Sequence, residues 1–129
     1  MRVLIVDDYR DAADTLACLI HELGNEVQVS YSGRLGFQAA QSFRPHLIFV
    51  DLFMPDTDGF NFATQIRENA ELGGVQIVAI TGYKDDKHRI LALTAGCDLV
   101  LFKPAGLAEI EKVLNSVSLS LAQLNHSAD

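Results

Sequence analysis

Five side chains able to do chemistry each follow directly on a short apolar run. Asp7 and Asp8 follow residues 3–6, Asp51 follows 47–50, Thr81 follows 76–80 and Lys103 follows 99–102. Three carboxylates gathered in one pocket repel each other. At about 5 Å and an effective dielectric of about 20, each pair costs roughly 3 kcal/mol. Such a cluster takes up protons, binds a cation or leans on a lysine. Lys103 offers one positive charge, and a hard divalent cation with oxygen ligands, Mg²⁺ above all, offers two. A metal beside a carboxylate, with a lysine and a hydroxyl facing the same point, suits phosphoryl chemistry in which the carboxylate is the nucleophile. Taken singly, each acid has a competing reading as a helix cap: Asp8 or Asp11 for the first helix, Asp58 for the third.

Convergence of these residues requires particular elements. The apolar runs 3–6, 27–29, 47–50, 76–80 and 99–102 lack polar alternation, as expected of strands buried on both faces. Amphipathic stretches lie between them: 12–23 stopped by Gly24-Asn25, 35–43 stopped by Arg44-Pro45, 60–70 continuing to Gly73-Gly74, 86–95 stopped by Gly96, and 107–124. Strand and helix alternating five times predict an α/β fold: a five-stranded parallel sheet with helices on both faces. The expected strand order is the flavodoxin-like, doubly wound 2-1-3-4-5, whose ligands bind outside the carboxyl ends of the strands where the order reverses. Strands 1 and 3 are then neighbours, and Asp7, Asp8 and Asp51 meet. At 129 residues, with no linker or repeat, the chain reads as one domain over 1–129.

Composition excludes several functions. A formal charge of −7 with no Lys/Arg cluster argues against binding nucleic acid or an anionic membrane surface. The N-terminus reaches Asp7-Asp8 after too few apolar residues for a signal peptide, and no run approaches a membrane span, so a cytoplasmic protein is expected. Cys18 and Cys97 read as small core residues in a reducing compartment. No Gly-rich nucleotide loop and no Ser/His/Asp or Cys/His grouping is present. His21, His46, His88 and His126 avoid the strands' carboxyl ends and read as surface residues.

The sequence resembles the receiver domains of two-component response regulators over nearly its whole length. The likeness rests on Val6-Asp7-Asp8, Asp51-Leu52-Phe53-Met54-Pro55 with Asp58-Gly59, Thr81-Gly82, Ala95-Gly96-Cys97-Asp98 and Lys103-Pro104. The stretch from Asp7 to Asp14, with Ile80-Thr81-Gly82-Tyr83, looks most like receivers attached to hybrid histidine kinases. The resemblance implies a signalling receiver for a phosphorelay rather than an enzyme, one that catalyses only its own phosphorylation and dephosphorylation. It implies that Asp51 accepts a phosphoryl group from the phosphohistidine of a histidine kinase or phosphotransfer domain, becoming 4-aspartylphosphate. Asp8, Asp51 and the Phe53 backbone carbonyl would hold Mg²⁺, with Asp7 acting through water. Lys103 would pair with the phosphoryl oxygens, Thr81 would move towards them, and Pro104 would follow the lysine through a cis bond. The face built from helix 4, strand 5 and helix 5 would then change and engage a downstream protein.

Two departures stand out. Three positions before the lysine the family usually carries an aromatic switch residue, and here Val100 stands there; Phe102, on the same strand face, is either its substitute or plain packing. Phe53 and Tyr83 lie two residues beyond Asp51 and Thr81, either as exposed loop aromatics or as rings that shield the phosphoryl group from water. Helix 5 carries a heptad seam, Leu107, Ile110, Leu114, Val117, Leu121 and Leu124, whose last turns suggest a homodimer through the helix 4/helix 5 face. The rival readings are a degenerate receiver that binds its partner regardless of phosphate, a piece of a hybrid kinase, and an aspartate phosphatase. The last expects a second acid where Phe53 stands.

Overall fold

The computed structural model describes the backbone of residues 1–127 and the side chains up to residue 124. The order is β1 (Arg2–Val6), α1 (Arg10–Glu22), β2 (Glu26–Ser30), α2 (Gly33–Phe43), β3 (Leu47–Asp51) and α3 (Gly59–Glu68), then a 3₁₀ turn (Ala70–Leu72). β4 (Gln76–Thr81), α4 (Asp86–Ala95), β5 (Leu99–Phe102) and α5 (Leu107–Ser127) complete it. All strand pairs are parallel and the order is β2-β1-β3-β4-β5, as the alternation of elements predicts.

The pleat divides the core in two. One side of the sheet, with Leu4, Val6, Ile48, Val50, Ile77 and Ala79, packs on Phe62, Ala63 and Ile66 of α3 and Ala92 of α4. The other, with Val3, Ile5, Leu47, Phe49, Val78 and Ile80, packs on Ala13 and Ile20 of α1 and Ile110, Val113, Leu114 and Val117 of α5. Central β3 is buried at every residue. β2 and β5 are not: as edge strands with a single neighbour they keep partly exposed positions, so both-face burial holds for the inner three strands only.

Other local expectations need correction. Cys18 lies exposed on α1, on the helix face away from the sheet, while Cys97 is buried and burial pushes its thiol up to about 11, leaving it an unreactive core residue. Neither Asp8 nor Asp11 caps α1; the cap position is Tyr9, with no side-chain bond. Asp58 does cap α3, accepting from the Asn61 N–H at 2.8 Å. α3 stops at Glu68 because Asn69 turns extended and caps the 3₁₀ turn instead. α2 starts two residues before the apolar stripe, capped by Ser32.

His46 is half-buried rather than on the surface, its Nδ1 accepting the Arg2 N–H at 2.9 Å. Burial, with Arg2 and the chain's amino group nearby, holds it below the usual histidine range. His88 is half-buried too, His21 is exposed, and the side chain of His126 lies outside the described residues.

Candidate functional site

The sheet register builds the site. Val6 of β1 stands beside Val50 of β3, so Asp7 and Asp51 leave adjacent strands at the same level. Carboxylate oxygens of Asp7, Asp8 and Asp51 all lie within 4.8 Å of one another. Just after β5, Lys103 extends its Nζ to 3.6 Å from Asp51 Oδ1 and 3.7 Å from Asp7 Oδ2. Its backbone N–H donates to the Thr81 carbonyl at 2.8 Å, fixing the lysine against the end of β4, and the Lys103–Pro104 bond is cis.

Asp7 and Asp51 are each 8% exposed, whereas Asp8 is open to solvent. Burial, then the Asp7 charge, pushes the Asp51 carboxyl up to about 6; Lys103 and the Phe53 N–H pull the other way. A carboxylate so strained for positive charge, in a cluster of oxygen donors with one lysine, fits a hard dication. Thr81 is fully buried and its Oγ1 accepts the Tyr83 N–H at 3.1 Å.

The Phe53 and Tyr83 rings sit in contact, with centroids 4.5 Å apart. His88 of α4 completes the group at 5.4 Å from Phe53 and 5.0 Å from Tyr83, its Nδ1 paired with Asp85 at 2.6 Å. Phe102 pairs in register with Thr81, and Val100, two register positions removed beside Ala79, packs into the α3/α4 side of the core.

The profile of the response regulator receiver domain family matches residues 3–115. The chain belongs to that family. It is 27% identical over 128 residues to the response regulator Rre1 of Synechocystis, covering 98% of this chain but 54% of that protein. Protein PilH of Pseudomonas aeruginosa is 25% identical over 116 residues, covering 90% of this chain and 96% of PilH. A CheY-like receiver domain from Methylobacillus flagellatus superposes with a TM-score of 0.81 at 32% identity, covering 91% and 98% of the two chains. The chain thus spans about half the length of the first curated relatives it matches, 54% and 45%.

Receiver domains are signalling modules that interact with histidine kinases or phosphotransfer proteins and bind Mg²⁺ at an acidic pocket. In this chain Asp7, Asp8 and Asp51 form an acidic cluster. Among the described residues, no helix is long and apolar enough to cross a membrane.

Sequence reasoning missed three participants. Arg67 of α3 donates from Nε to the Gly96 carbonyl at 2.9 Å, from Nη1 to the Val75 carbonyl at 2.6 Å and from Nη2 to Asp98 at 2.7 Å. Asp98 in turn accepts the Ile77 N–H at 2.8 Å. These partners are far apart in sequence and leave no local signal. Asp56, in the loop after β3, accepts two N–H groups from the first turn of α2. His88 was legible in principle, since Asp85 three residues earlier marks a helix start.

Proposed function

We propose that the chain is a phosphoacceptor receiver in which Asp51 is the nucleophile. What carries the reading is the approach of Lys103 Nζ to 3.6 Å from the Asp51 carboxylate, inside a cluster of three acids. An Asp51 oxygen attacks the phosphorus of a partner's phosphohistidine; the new O–P bond forms as the N–P bond breaks, and the leaving imidazole keeps the electron pair. Asp8, Asp51 and the Phe53 carbonyl would hold Mg²⁺, with Asp7 acting through water; the ion supplies charge that offsets the phosphoryl oxygens. Lys103 pairs with those oxygens.

The switch follows from charge. Phosphorylation replaces the single charge of Asp51 with about −2. The Thr81 hydroxyl, bound at rest to the Tyr83 N–H, is drawn to that excess. The loop after β4 then takes a second arrangement and moves α4. With Val100 at the usual aromatic position, Phe102 and the Phe53–Tyr83 contact are what remain to report the shift. The α4–β5–α5 face, where Ile90, Leu91, Leu93 and Leu99 stand exposed, is the surface for a downstream protein or a second copy.

The test is labelling by acetyl phosphate with Mg²⁺, read as an added phosphate in the mass spectrum. Wild type gains it and Asp51→Asn does not; equal labelling of the variant refutes the assignment. Failure of wild type to label favours a receiver that binds its partner regardless of phosphate.

A further inference from the structure

The loop between β3 and α3 starts directly after Asp51, the last residue of β3, and carries the Phe53 carbonyl, so whatever sets its path bears on the site. Its base is tightly built. The Gly59 N–H donates to the Leu52 carbonyl at 2.8 Å, and a Cβ at Gly59 would fall 2.7 Å from the Asp51 carbonyl oxygen. Leu52 and Met54 are buried anchors. Beyond Met54 the loop meets another element at the first turn of α2. There Asp56 Oδ1 accepts the Gly33 N–H and Oδ2 the Arg34 N–H, both at 3.2 Å. The contact is close: a Cβ at Gly33 would fall 2.6 Å from Thr57 Cβ. α2 is itself fixed to β1, since a Cβ at Gly36 would fall 2.7 Å from a Val6 methyl.

We propose that Asp56 is a positioning residue for the acidic pocket. By clamping the free N–H groups of α2 with both carboxylate oxygens, it holds the loop so that the Phe53 carbonyl faces the Asp8–Asp51 pair. The proposal rests on the reading of that pocket as a Mg²⁺ site. The direction of the Asp56 pKa agrees: it lies below the ordinary value because backbone N–H donors outweigh the upward pull of burial. Helix capping alone does not require this residue, because α2 already has its own cap, Ser32, whose Oγ accepts the Leu35 N–H at 3.2 Å.

That second cap supplies the control. Calorimetric titration with Mg²⁺ alone compares wild type, Asp56→Ala, Asp56→Asn and Ser32→Ala, with a thermal melt of each to confirm folding. Asp56→Ala is expected to raise the Mg²⁺ dissociation constant about tenfold, the usual cost of losing an outer partner of a metal site. Asp56→Asn, which keeps one acceptor oxygen, recovers part of that loss. Ser32→Ala weakens the same helix start yet leaves Mg²⁺ affinity within about twofold of wild type.

A dissociation constant for Asp56→Ala within twofold of wild type overturns the proposal, as does an equal shift in Ser32→Ala. Absence of any Mg²⁺ binding by wild type overturns the reading of the pocket itself, and the proposal with it.

Discussion

α3 and α4 are ten residues each and pack side by side on the same face of the sheet, yet they are held in opposite ways. α3 buries Gly59, Phe62, Ala63 and Ile66, one complete apolar stripe. α4 buries Ala92 alone and leaves Ile90 57%, Leu91 46% and Leu93 37% exposed. Its fastening is at the ends. His88 joins the Phe53–Tyr83 rings at the start, and at the finish Arg67 of α3 holds the Gly96 carbonyl. A helix gripped mainly at its ends has little packing to lose when it moves, whereas one keyed into the core along its length has much to lose. The loop from Thr81 feeds the first kind. Asp51 is rooted beside the second.

Phe62→Ala should produce the largest effect, a loss of about 3–5 kcal/mol in urea unfolding, because a fully buried ring leaves a cavity in the core. A loss below about 1.5 kcal/mol would break the contrast.

Next comes the charge at Asp51, lifted to about 6 from an ordinary 3.8. Between those values the folded protein keeps a proton that the unfolded chain has lost. Stability therefore falls as pH rises through that window and stays reduced above it. Asp51→Asn removes the burdened charge and should gain about 1–2 kcal/mol at pH 7, after allowance for solvent screening, and nothing below about pH 4. A gain that persists in acid would assign it to packing instead.

The smallest effect belongs to the exposed face of α4. Ile90→Ser should change stability by less than about 0.5 kcal/mol in the isolated chain while weakening any complex formed through that face. A large intrinsic loss would mean that α4 is packed after all.

Much of this was legible in the residues. The inner strands announce themselves as unbroken Val/Ile/Leu/Phe runs, and parallel order brings Asp7 and Asp51 together without any coordinates. The edges were harder: Leu99 to Phe102 is as apolar as an inner strand and only the count of neighbours exposes it, whereas in Glu26 to Ser30 the polar Gln28 between Val27 and Val29 already marks a partly exposed face. Cys18 misled because an apolar helix neighbourhood in sequence says nothing about which face meets the sheet. The Arg67–Gly96 and Asp56–Arg34 contacts join residues more than twenty positions apart through backbone groups, which every residue has and no pattern marks.

The most direct test is hydrogen exchange of the wild-type chain with and without Mg²⁺ and beryllofluoride, an acyl-phosphate mimic. The account predicts altered protection in the loop after Thr81 and along α4, with α3 amides unchanged beyond its first turn. Bound mimic with unchanged α4 protection, or an equal change across α3, would contradict it.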